Sequence, residues 1–249
     1  MKRIVGLLIL FVAAQLLGGL LMFLVTLAEP SAEGLGTSGT AFSLLVSQVA
    51  LMVFLWFSRW VAPADVVGRR VAPAMYAAVL LLMIPALFLA NWLTEMLQLE
   101  DVNGELLRQL MHTPCGVLTV ALCAPLAEEL LFRAGIQGHL QRCVPRTWQA
   151  VFLSSALFAV VHANPAQLPA AFLLGMVFGA VYRLTGSLWP SVLAHVFNNS
   201  LGVALELCGF GQLSFSALLD GFWAKVFAAG TAGVWMFLAG HYVWLHRQR

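Results

Sequence analysis

The chain is laid out as blocks of apolar residues separated by short polar breaks. Apolar runs cover residues 4–28, 41–61, 74–97, 116–132, 148–162, 168–184, 188–206 and 222–245, most of them near the roughly 20 residues that a membrane-crossing helix needs. The breaks carry turn chemistry: Glu29-Pro30-Ser31, Ala62-Pro63, Asn103-Gly104, Cys143-Val144-Pro145, Asn164-Pro165, Thr185-Gly186-Ser187 and Gly209-Phe210-Gly211. No internal repeat interrupts this plan. The pattern predicts an all-α, polytopic membrane helix bundle of about eight transmembrane helices, with residues 1–249 forming a single integral membrane domain.

Composition agrees with the pattern. Of the 249 residues, 61% are hydrophobic and 10% charged, and the mean hydropathy is +0.89, far from the roughly 25% charged of a soluble domain. The lipid bilayer is therefore the expected partner. A net charge of +2 without a basic patch interleaved with aromatics argues against nucleic acid.

Where the charges fall predicts orientation. With the N-terminus inside, Lys2, Arg3, Arg59, Arg69, Arg70, Arg133, Arg142, Arg146, Arg183, Arg247 and Arg249 lie on the cytoplasmic side, leaving only Arg108 and Lys225 outside. Glu29, Glu33, Glu95, Glu100, Asp101, Glu105, Glu206 and Asp220 fall on the opposite side, and Asp65 is the one loop acid among the bases. Both termini are thus expected in the cytoplasm. The length of the first run favours a retained anchor over a cleaved signal, and the absence of an organelle-targeting signal points to a prokaryotic plasma membrane. Cys115 and Cys208 both fall near outer helix ends, with no spacing signature that pairs them.

The chemistry lies where polar residues interrupt the apolar runs. Glu128, Glu129 and Arg133 end the fourth run, where unpartnered charges cost several kcal/mol. Glu129 shares a helix face with Arg133 four residues on, while Glu128 points about 100° away. One acid is neutralised and the other, Glu128, is left to work. The fifth run ends at His162, four residues after Phe158, and the seventh carries His195 and, one turn on, Asn199. Taken singly, a histidine in a membrane helix is as readily interhelical glue, worth about 0.6–2 kcal/mol, and an asparagine is more often glue than catalyst. Glue does not require a free carboxylate, two imidazoles and a carboxamide on three helices.

The segments Glu128-Glu129-Leu130-Leu131-Phe132-Arg133, Phe158 to His162 and His195 to Asn199 resemble, in order and spacing, the motifs of the CAAX prenyl protease and bacteriocin-processing (CPBP) family of intramembrane endopeptidases, of which the type II CAAX prenyl endopeptidase is a member. The resemblance covers a core of about residues 116–205. It implies an intramembrane protease acting on membrane-associated peptides or proteins, with prenylated or bacteriocin-like substrates in the family's range.

Peptide hydrolysis needs a base for water, donors for the developing oxyanion and a proton for the leaving amine. Glu128 is the expected base, His162 holds the same water, and His195 with Asn199 forms an oxyanion site; Glu129, Arg133 and Phe158 are the expected structural support. The resemblance implies the same assignment. No cofactor is expected. The alternative is zinc held by Glu128, His162 and His195, ranked second because there is no His-Glu-x-x-His helix. A transporter using Glu128 as a proton or cation carrier is the rival class, and no inverted repeat supports it.

Depth raises one tension. At about 1.5 Å per residue, His195 lies roughly 9 Å in from Trp189 and His162 roughly 21 Å in from Trp148. The two become level if the fourth helix runs on past Arg133 toward Gly138 and the fifth is tilted or starts later than Trp148. A water-filled cavity opening to the cytoplasm is the expected result. Gly175 and Gly179 form a small-x-x-x-small pair that permits close helix approach.

Overall fold

The computed structural model describes residues 2–28, 36–58, 60–211, 221, 225–226, 228–233, 235–236 and 240. In chain order the helices are α1 (Lys2–Ala28), α2 (Gly36–Phe57), α3 (Pro63–Val67), α4 (Pro73–Leu97), α5 (Gly104–Met111), α6 (Pro114–Cys143), α7 (Thr147–Val161), α8 (Leu168–Thr185) and α9 (Leu188–Leu207). No strand occurs among the described residues. Most of the expected eighth span, 222–245, lies outside them, as do Glu29, Glu33, Arg59, Asp220, Arg247 and Arg249.

Helices α1, α2, α4, α6 and α8 are long and apolar enough to cross a membrane, five of the eight expected spans. α7 is apolar but has only 15 residues. α9 has 20, and Ser191, His195, Asn198, Asn199 and Glu206 dilute its apolar character. The residues that make α9 chemically interesting are thus the ones that lower its hydropathy below that of the spanning helices. The short α3 and α5 are additions that the apolar pattern did not predict.

α6 is longer than its apolar run, as the depth argument required: its 30 residues carry it past Arg133 and Gly138 to Cys143. Thr113 opens it by accepting a hydrogen bond from the Gly116 N–H at 3.1 Å, with Pro114 in the first turn, where its missing donor is harmless. Two π-helical segments, Thr119–Cys123 and Leu130–Gln137, flank the acid pair, and such insertions recur at functional sites. α7 begins at Thr147, so a late start is not what brings the two histidines together.

Small residues set the helix spacing. A Cβ on Gly175 would lie 3.2 Å from Phe158 and Ser155 of α7, and one on Gly179 would lie 2.7 Å from the Gln137 Oε1 of α6. α1 meets α2 in the same way, with the Ser43 hydroxyl donating to the Gly18 carbonyl at 2.5 Å. One core cluster joins Leu7, Leu51, Leu131, Phe132 and Phe158; a second joins Val79, Met83, Phe178 and Ala194. The four cysteines are free, including Cys115 and Cys208.

The two ends of the bundle differ in charge. At one, Arg3 donates to the Trp60 carbonyl, Arg142 pairs with Asp65 at 3.0 Å, Arg183 stacks on Trp148 at 4.3 Å, and the Arg69 amide meets the Gly186 carbonyl. At the other, Asp101 and Glu100 meet Asn164 and Ala166, and Glu206 meets His112 at 3.4 Å. The segregation follows the pattern that the sequence laid out.

Candidate active site

The site is built where α6, α7, α8 and α9 meet. α6 brings Glu128, Glu129 and Arg133; α7 brings Ser154 and Phe158, with His162 just past its last turn; α8 brings Phe178; α9 brings Ser191, His195 and Asn199 along one face at spacings of four. The predicted i, i+4 pair is present, with Arg133 Nε 3.1 Å from Glu129 Oε2 and both side chains fully buried.

Glu129 does more than balance an arginine. The Ser191 hydroxyl donates to its Oε2 at 2.5 Å, and His195 Nδ1 lies 2.9 Å from its Oε1. Three partners on two carboxylate oxygens satisfy a charge that could not otherwise be buried. Because Oε1 accepts the Nδ1–H, the carboxylate also fixes the ring orientation of His195 and keeps a proton on its Nδ1. Arg133 is held in turn by Ser154, 3.4 Å from its Nη1, and by the Phe158 face, 4.9 Å from its Cζ. Phe178 stacks on the His195 ring at 4.7 Å and 20°.

Glu128 meets the other side of the same imidazole. Its Oε2 lies 3.7 Å from His195 Nε2, beyond hydrogen-bond length, and its side chain keeps 17% of its exposure where that of Glu129 keeps none. His162 and His195 both pack edge-on to the Phe158 ring, with centroid distances of 4.7 and 5.7 Å. The His162 Nδ1 is turned to the Phe158 carbonyl at 2.7 Å. Phe158, expected as support, is the ring through which both imidazoles are placed.

Asn199 has an identifiable local partner. In the first π segment the Ala124 N–H reaches back to the Thr119 carbonyl. The next donor in that register would be residue 125, a proline with no N–H, so the Val120 carbonyl is left without its helical donor. Asn199 Nδ2 supplies one at 2.8 Å, and its Oδ1 accepts from Asn198 Nδ2 at 2.7 Å. One amide hydrogen of Asn199 is committed to α6, and the second is not.

The residues of a zinc site are only partly assembled. Glu128 and His195 face each other, whereas His162 is turned to a backbone carbonyl, and no three His, Cys, Asp or Glu groups among the described residues gather as metal ligands. Ser191, Ser154 and Phe178 join the site without a sequence motif that singles them out. Ser191 was findable, since it stands one turn before His195 on the face that also carries Asn199.

Residues 111–201, which hold all of these groups, match the family described as type II CAAX prenyl endopeptidase Rce1-like. An uncharacterized 24.3 kDa protein of Escherichia coli is 31% identical over 163 residues, 61% of this chain and 74% of that protein. The membrane-embedded CAAX protease MroQ of Staphylococcus aureus (strain USA300) is 28% identical over 99 residues, 38% of this chain and 40% of that protein. The chain therefore spans well under half of the second relative's length. No solved structure matches.

Proposed function

This chain belongs to the Rce1-like family of type II CAAX prenyl endopeptidases, and we propose that it is an intramembrane endopeptidase in which Glu128 activates water beside His162 while His195 and Asn199 receive the oxyanion. The observation that carries this reading is the division of the acid pair: a saturated, buried Glu129 orients His195, and an unsaturated Glu128 faces the same ring at 3.7 Å.

In the proposed reaction the Glu128 carboxylate takes a proton from water as the water oxygen attacks the scissile carbonyl carbon. The oxyanion that forms accepts the Nε2–H of a protonated His195, whose Nδ1–H remains on Glu129, and the free amide hydrogen of Asn199. Collapse of the intermediate breaks the C–N bond, and the proton held by Glu128 passes to the leaving amine. The products are a carboxylic acid and an amine, with Glu128 again ionised. His162, set against Phe158, holds the attacking water from its other side. Glu129 and Arg133 act through His195 and do not touch substrate.

The substrate is a membrane-associated peptide or protein, with prenylated C-terminal segments as the first class to try. In this reading the catalytic core is about residues 116–205 of one membrane domain, its site opening toward the cytoplasm from a prokaryotic plasma membrane with both termini inside. The basic end of the bundle supports that orientation.

The test is cleavage of internally quenched peptides, including a farnesylated CAAX peptide, by purified protein in detergent. Wild type cuts and Glu128→Ala does not. Proton-coupled uptake into liposomes without any cleavage would replace the reading by a transporter. Metal analysis of the active preparation with chelator titration tests the metal-free route, and stoichiometric zinc whose removal reversibly abolishes cutting would overturn it.

A further inference from the structure

Among the described residues two that are not glycine hold a positive φ: Gln98 at 46° and Ala163 at 50°. An L side chain in that region crowds the following carbonyl, and such strain persists only where the surroundings over-determine it. Gln98 ends α4 and Ala163 follows His162, 65 residues apart in the chain by the difference of those numbers. One side chain ties the two segments together. Asn164, 2% exposed, donates from Nδ2 to Asp101 Oδ1 at 2.8 Å, and its Oδ1 accepts from the Val102 amide at 3.4 Å and the Ala166 amide at 3.3 Å. The Ala166 amide also meets the Glu100 carbonyl at 3.2 Å.

Both turns had to be shaped for this contact. A Cβ on Gly104 would lie 2.0 Å from the Asp101 carboxylate, so glycine there leaves room for the acid. The left-handed Ala163 ends the helical path directly after His162 and directs the chain to Asn164. The clamp therefore begins two residues from an imidazole whose ring is anchored, among the described residues, by the carbonyl and ring of Phe158 on its own helix.

We propose that Asn164 and Asp101 are positioning residues for the reaction: their clamp holds the strained turn at Ala163 and so fixes where His162 stands relative to Glu128 and His195. The inference rests on the reading of His162 as a catalytic residue. A loop tie with no part in catalysis would affect folding alone. The positioning role instead predicts a loss in turnover at unchanged substrate affinity.

Donor and acceptor can be exchanged to test it. Asn164→Asp removes the Nδ2 donor and sets two carboxylates together; combining it with Asp101→Asn restores a donor and an acceptor with their places reversed. On the farnesylated CAAX peptide, purified full-length Asn164→Asp is expected to lose about 10- to 100-fold in kcat with KM within about twofold of wild type, and the exchanged pair to recover most of that loss. Hydrogen exchange, which needs no substrate, should rise at the amides of residues 160–164 in Asn164→Asp while α6 and α9 stay protected. Full kcat in Asn164→Asp, no recovery in the exchanged pair, or exchange rising equally across α6 and α9 would overturn the clamp. His162→Ala separates the two claims: if it is inactive while Asn164→Asp is fully active, only the clamp fails; if it cuts at the wild-type rate, His162 leaves the site and the premise fails.

Discussion

Glu128 and Glu129 share a helix, a side chain and a neighbourhood in the sequence, yet the bundle gives them opposite surroundings. Around Glu129, α6, α7, α8 and α9 close into a network in which Arg133, Ser191 and His195 take up both carboxylate oxygens. Around Glu128 one imidazole stands at 3.7 Å and part of the side chain stays open. What separates them is the turn of about 100° between adjacent helix positions. A helix can thereby present one acid to the protein as structure and the next to substrate as a reagent.

The largest expected effect breaks the closed side. Glu129→Ala leaves Arg133 buried without its carboxylate, which costs about 3–5 kcal/mol, and should be read as a fall in the midpoint of thermal or denaturant unfolding together with lost cleavage. Next, Ser191→Ala removes one hydrogen bond to the carboxylate while leaving the ion pair, for about 1.5–3 kcal/mol, and activity should fall by less than in Glu129→Ala. Gly179→Ala presses a methyl group against Gln137 and Val151, and this overpacking should cost about 1–3 kcal/mol with little effect on KM. If Ser191→Ala proved more damaging than Glu129→Ala, the carboxylate would not be the centre of the network.

Much of this contrast is legible in the sequence. The spacing of Glu129 and Arg133 predicts their pairing, the spacing of Phe158 and His162 predicts a shared helix face, and the need to level two histidines predicts an α6 longer than its apolar run. The rest depends on contacts between segments distant in the chain. That Glu129 also grips His195 requires α9 to cross α6 at one particular height. That Asn199 reaches Val120 depends on a π turn meeting Pro125, where local register and a missing N–H combine. Asn103-Gly104 and Asn164-Pro165 read as ordinary breaks because nothing in either segment reveals that Asn164 reaches Asp101 and Val102, just before the first break. α9 falls short as an apolar span because its polar face is spent on the site.

The most direct measurement sets Glu128→Gln beside Glu129→Gln, each purified in detergent and assayed for both cleavage and unfolding midpoint. The predicted result is that Glu128→Gln unfolds like wild type and loses about 100- to 10,000-fold in kcat, while Glu129→Gln unfolds at a clearly lower midpoint. Cleavage retained in Glu128→Gln, or equal destabilisation in the two variants, would contradict the division of labour between these two acids.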